Sequence, residues 1–177
     1  LRWCAMATVS ALYKAPFGPG GPTEIDVQLA EKLLAVALSK GADYADLFFE
    51  YRAAGGLVYD EGILKSASRG VSVGLGVRAQ KGDATGYAYV EKLDWASMQH
   101  AAATAAQIAV EGGALAPVRA VEVAVPKRYE LDTVTLDVAG LEKRALLERA
   151  AKRAEAFDPR VVKVEASFAE ELREILV

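Results

Sequence analysis

The chain has 177 residues, 53% of them hydrophobic, a formal net charge of −3 and a mean hydropathy of +0.14. That length makes one ordinary domain, or a small domain with part of another, and the apolar content suffices for a packed core. Basic residues are scattered among acids, so no nucleic-acid footprint stands out, and no run of about 18 apolar residues offers a membrane span. The single cysteine, Cys4, excludes an internal disulfide and fits a reducing, cytoplasmic setting. Leu1 to Ala15 lacks the apolar h-region of a secretory signal. Met6 offers a natural start, so residues 1–5 are set aside from the fold reasoning.

In chain order, residues 1–25 read as a flexible arm, because Pro16, Pro19, Pro22 and their neighbouring glycines cannot sustain a helix or a ladder. A first helix is expected from Asp26, as N-cap, to Lys40, with Gly41 beyond its end. Tyr44–Arg52 alternates as a strand, Ala53-Ala54-Gly55-Gly56 turns the chain, and Leu57–Asp60 pairs with Ile63–Ser68 around Glu61-Gly62. Val71–Val90 then reads as a hairpin. Val71, Val73, Leu75, Val77 and Ala79 occupy one face, and Gln80-Lys81-Gly82-Asp83 makes the turn. Pairing Ala79 with Ala84 sets Gly76 opposite Tyr87 and Gly74 opposite Tyr89, so that each ring covers a strand glycine.

A second helix follows from Trp95 to Glu111, capped by Asp94 and stopped by Gly112-Gly113. Residues 26–113 therefore form an α+β domain, an antiparallel five-stranded sheet of hairpins with helices on one face. Residues 114–135 read as a connector, with Val118–Val125 able to pair at an edge. Residues 136–177 read as the start of a second α/β region. It opens with a helix over Val138–Phe157 capped by Asp137, its apolar stripe on Leu146, Leu147, Ala150, Ala154 and Phe157. Strands Val161–Phe168 and Leu172–Val177 follow, joined by a turn at Ala169-Glu170-Glu171. The apolar run at Ile175-Leu176-Val177 has no terminating signal, which leads us to expect the N-terminal part of a longer protein.

No catalytic, cofactor-binding or metal-ligating residue emerges from the sequence. His100 is the only histidine and has no Cys, Asp or Glu at ligand spacing on its helix. Asp46 and Glu50 share a strand face about 13 Å apart by strand rise, too far for a glycosidase pair. Asp43 clusters with them in sequence only. Ser66, Ser68 and Ser72 have no base nearby, and Lys65, Arg69 and Arg78 read as charges protecting a sheet edge. Gly74-Leu75-Gly76-Val77-Arg78-Ala79 matches a dinucleotide-binding G-x-G-x-x-G/A, with Asp94 twenty positions on from Gly74. That fingerprint requires a helix to open at the glycines, whereas the strand alternation here runs through them.

An ordered series of segments nevertheless resembles one family. Gly41-Ala42-Asp43-Tyr44-Ala45-Asp46-Leu47-Phe48-Phe49-Glu50, Gly74–Ala79 and Thr85-Gly86-Tyr87-Ala88-Tyr89 are similar to the N-terminal region of TldD/PmbA proteins, once called modulators of DNA gyrase. The Ala-rich helix ending at Gln107-Ile108-Ala109, Asp158-Pro159-Arg160-Val161 and Glu171–Val177 continue the likeness. The Gly-Val-Arg-Ala and Thr-Gly-Tyr-Ala-Tyr elements look more like TldD than its partner PmbA, also called TldE. The resemblance implies a zinc metallopeptidase that processes peptides through an HExxxH motif and pairs with a PmbA/TldE-like subunit. A chain with one histidine cannot contain that motif. The resemblance therefore implies a part inactive by itself, serving assembly and substrate access, with zinc belonging to the full-length protein. The rival readings are a PmbA/TldE-type non-catalytic region or a stand-alone module that binds a peptide strand at an exposed sheet edge, and self-association is the alternative to a PmbA/TldE-like partner.

Overall fold

The computed structural model describes residue 10, residues 12–109 and 133–177, and the backbone of 2–3 and 123–124. The elements are α1 (Val27–Leu38), β1 (Tyr44–Asp60), β2 (Ile63–Lys81), β3 (Ala84–Val90), α2 (Trp95–Ala109), α3 (Gly140–Glu155) and β4 (Glu165–Leu176), with a 3-10 turn at Thr135–Asp137. The fold is α+β, with an antiparallel sheet in the order β3-β2-β1-β4. Beyond β4, Trp3 pairs antiparallel with Leu176, and Arg2–Trp3 runs parallel to Val123–Ala124. The expected end of the second helix at Gly112-Gly113 and most of the 114–135 connector lie outside the described residues.

The sheet has four principal strands rather than five: the expected breaks at 53–56 and 69–70 are ladder, which fuses four expected strands into β1 and β2, and β4 joins from beyond residue 136. Ala53–Gly56 pairs with Val71–Ser68 on one side and with Leu172–Ala169 on the other. Both edges of this glycine-bearing stretch are hydrogen-bonded by neighbours, so the glycines extend the strand instead of reversing it. The same pairing runs β4 straight through the turn expected at 169–171 and starts it at Glu165 rather than Val161. Real reversals occur at Glu61-Gly62, with φ of 51° and 81°, and at Gly82, with φ of 52°.

The β2–β3 hairpin closes two residues tighter than expected, with Lys81 opposite Ala84 and Ala79 opposite Gly86. A shift of two keeps every side chain on its face. Tyr89 now lies opposite Gly76 and Tyr87 opposite Arg78, yet both rings lean diagonally onto the expected glycines. A Cβ on Gly76 would stand 2.6 Å from the Tyr87 hydroxyl, and one on Gly74 would enter the Tyr89 ring.

The face bearing Phe49, Leu75, Val77 and Leu176 is buried beneath α1 and α2, through Leu33, Ala37, Met98 and Ala105 among others. Asp26 caps α1 by accepting from the Leu29 amide at 2.7 Å, and Asp94 accepts from the Ser97 amide at 2.8 Å. Where a mobile arm was expected, Phe17 is fully buried against Phe49, ring centres 5.7 Å apart. The Pro/Gly stretch forms no regular element, but its turns are hydrogen-bonded, as from the Ile25 amide to the Phe17 carbonyl at 3.1 Å. Further along the same sheet face, α3 packs Leu147 and Ala151 onto Tyr59, with Leu57, Ala166 and Phe168 around them.

α2 sits unusually close to the sheet at Gly86, where an added Cβ would collide with the Ala105 carbonyl oxygen and lie 2.7 Å from the Ala109 amide. Gly86→Ala should therefore destabilise the chain by about 1–3 kcal/mol, because helix backbone cannot step aside. Gly76→Ala should cost less, since Tyr87 is exposed and can rotate away. Urea denaturation of both variants checks this, and equal midpoints would contradict the close approach.

The Asp94 carboxyl is held down at about 2 by the Lys92 ammonium and the Ser97 amide. A depressed folded value means that its contribution is complete above the ordinary carboxylate range and is lost as pH falls toward 2. Asp94→Ala should thus lower the melting temperature at neutral pH, and the gap from wild type should close between about pH 4 and 2. Melting curves across that interval provide the measurement.

Candidate functional site

Strand alternation places Glu170 on the helix-covered face of β4, between Leu172 in the main core and Phe168 beside α3. Its cross-strand partner is Gly55, and a Cβ there would stand 3.0 Å from Glu170 Oε1, so the missing side chain makes room for the carboxylate. Lys143 Nζ of α3 donates to Glu170 Oε1 at 2.7 Å, and Arg69 Nη2 of β2 donates to it at 3.3 Å. The Glu170 and Lys143 side chains are only 4% and 5% exposed. Lys143 Nζ also lies 5.9 Å from the centre of the Phe168 ring. Arg69 donates in addition to the Tyr13 hydroxyl at 2.6 Å and stands over that ring. Ser10 donates its hydroxyl to Asp137 at 2.6 Å. The cluster so joins the Pro/Gly segment, β2, the 3-10 turn, α3 and β4.

A cavity of about 400 Å³ opens over this cluster. One wall is sheet, from Gly56-Leu57 and Ala67–Arg69; the other is the 3-10 turn and the start of α3, with Lys143 and Glu170 deep between them. Ala139 holds the N-cap position of α3 and supplies no side-chain cap, so the expected capping by Asp137 is not made. Glu170 Oε2 is buried without a hydrogen-bond partner among the described residues.

Lys143 and Glu170 did not stand out in the sequence, and Arg69 did so only as an edge charge. The stripe expected on Leu146, Leu147, Ala150, Ala154 and Phe157 is turned by one residue, for the buried row is Lys143, Leu147 and Ala151. Leu146 and Phe157 are exposed. A lysine heading an i, i+4, i+8 row with Leu147 and Ala151 was the available signal, obscured because Glu170 had been assigned to a turn.

The residues considered from the sequence disperse. His100 is exposed on α2, and among the described residues no three His, Cys, Asp or Glu side chains converge as metal ligands. A lone exposed imidazole does not fit the nitrogen- and sulfur-rich set that zinc takes, so the residues described here do not make a zinc centre. Asp43 accepts from the Gly82 amide at 3.0 Å, Asp46 is bound by Arg78, and Arg173 pairs with Glu50 at 3.2 Å. Lys65 pairs with Glu61 at 2.8 Å. Arg69 and Arg78 point to opposite faces of β2, so they do not form one charged edge. Ser68 lines the cavity, while Ser66 and Ser72 are exposed. Gly74 and Gly76 lie within β2, and the next helix begins only at Trp95.

Removing one partner of a buried ion pair strands the other charge. Lys143→Met alone and Glu170→Leu alone should each destabilise the chain by about 3–5 kcal/mol, while the double variant should approach wild type. A double-mutant cycle by urea denaturation measures the coupling; additive losses would show that the pair is not buried as a unit.

Comparison with known proteins agrees with this architecture. Residues 45–109 match the family model described as PmbA/TldA metallopeptidase domain 1. A Haemophilus influenzae protein named metalloprotease TldD homolog is 32% identical over 158 residues, covering 88% of this chain and 33% of its own length. A Buchnera aphidicola protein of the same name is 28% identical over 135 residues, 76% of this chain and 28% of its own. The chain thus spans about a third of the length of the curated relatives it matches. Among solved structures, a candidate modulator of DNA gyrase from Bacteroides thetaiotaomicron aligns over 84% of this chain and 36% of its own, with a TM-score of 0.59 at 17% identity. TldE from Thermococcus kodakarensis aligns over 85% of this chain and 33% of its own, with a TM-score of 0.54 at 17% identity, a likeness of fold. Residues 45–109 are thus a first domain of the TldD/PmbA family.

Proposed function

We propose that this chain is the N-terminal, non-catalytic part of a TldD-like metal-dependent peptidase, acting in assembly and in the access of peptide substrates. The observation that carries the reading is the alignment of 88% of this chain with one third of a relative named as a TldD metalloprotease homolog. The donor chemistry supports it, since one histidine cannot supply HExxxH, and zinc and its catalytic glutamate are placed by this reading outside these 177 residues. A division at about residue 113 into an α+β domain and a second region, whose strand β4 completes the sheet of the first, belongs to the same proposal. The fold likeness to TldE supports a TldE-like partner built on the same architecture, with self-association the alternative. It also favours a second reading, a PmbA/TldE-type subunit without a metal of its own. A cytoplasmic protein without nucleic-acid affinity fits the charge of −3, and no described helix is long and apolar enough to cross a membrane.

The 177-residue chain should bind no stoichiometric zinc and cleave no peptide. A gene product that contains it and continues into HExxxH should do both, and one that lacks the motif would favour the TldE-type reading. Metal analysis and a peptide-cleavage assay on each provide the test. One zinc per chain together with cleavage by the 177 residues alone would overturn the proposal.

A further inference from the structure

The cavity beside α3 has chemistry that neither the fold nor the family name uses. Lys143 has one described acceptor, Glu170 Oε1, which leaves two ammonium protons without an acceptor among the described residues. Glu170 Oε2 lacks a donor among the described residues although its side chain is only 4% exposed. A half-satisfied buried network is costly, and its open positions define what would complete it. They call for at least one acceptor and one donor close together. They also call for no net charge, because the pair is already neutral: an added anion would face Glu170 and Asp137, an added cation Lys143 and Arg69. A residue of extended peptide supplies this combination, because its own carbonyl and its own N–H point to the same side, one accepting and the other donating. Water could do the same singly, but about 400 Å³ exceeds by far the roughly 30 Å³ share of one water and falls in the range of ligand pockets. The remaining wall is aliphatic at Leu12, Leu57, Leu136 and Val138, and the uncapped start of α3 at Gly140 adds amide donors for a further carbonyl.

We propose that this cavity binds a short extended peptide segment, one residue of which turns its own C=O to Lys143 and its own N–H to Glu170 Oε2 while its side chains rest on the aliphatic wall. The proposal rests on the peptidase reading for its ligand class. Its test involves neither metal nor cleavage, so either can fail while the other stands.

The probe is N-acetyl-trialanine amide, titrated into the ¹⁵N-labelled 177-residue chain. The amides of Ser68, Arg69 and Val138–Gly140 should shift in a saturable way. Gly140→Leu, whose Cβ meets no atom within 4 Å, should place a side chain at the cavity wall and weaken binding about tenfold with the melting temperature unchanged. The paired replacement Lys143→Met with Glu170→Leu, which removes both buried charges and leaves Arg69 part-exposed and bonded to the Tyr13 hydroxyl, should weaken it by about tenfold or more. The proposal is overturned if the probe leaves these amides unmoved, which would mean that the cavity holds water only. It is also overturned if both variants bind as wild type does, or if acetate or tetramethylammonium moves the same amides as strongly as the peptide.

Discussion

β1 is hydrogen-bonded along both edges, over 17 residue pairs with β2 and 12 with β4. Interior pairing of that length satisfies the backbone from Phe49 to Asp60 on both sides and commits one face to burial along the whole strand. Two helices are too few to cover it. α1 and α2 roof the end at Leu47–Ala53, Phe17 closes against Phe49, and α3 covers Leu57 and Tyr59. The Pro/Gly segment and the C-terminal strand are therefore parts of one sheet assembly, whatever their composition.

Between the two roofs the strand carries Gly55, and across from it Glu170 enters the covered face. Apolar packing is interrupted there, and the interruption is filled by charge: Lys143 from above, Arg69 from the neighbouring strand. Such a pair gains little over an apolar replacement in net stability, because desolvation offsets much of the attraction. What it does supply is registry. Lys143 can meet Glu170 in one rotation of α3 only, and that rotation leaves Leu146 and Phe157 facing outward. The same interruption creates the cavity, so the seam between the cores is also where the chain has polar groups to offer.

Much of the hairpin was legible because period-two alternation survives a register error of two. Tyr87 and Tyr89 cover Gly76 and Gly74 although the pairing differs, since a diagonal neighbour is within reach of a tyrosine. The caps at Asp26 and Asp94 were legible for a local reason: each closes a turn with an amide three residues ahead. The cluster at Glu170 was not, because Arg69, Lys143 and Glu170 are separated by 74 and 27 positions and share no local pattern.

The sequence by itself determined the alternating faces, the starts of α1 and α2, the family likeness and the presence of a single histidine, all properties of neighbouring residues or of composition. Tertiary structure alone decided whether glycines at 53–56 turn or extend, whether Pro16–Pro22 hangs free or packs, and which face of α3 is buried. Those outcomes depend on partners far along the chain. A glycine pair extends when two strands bond it, and a lysine is buried when a distant carboxylate awaits it.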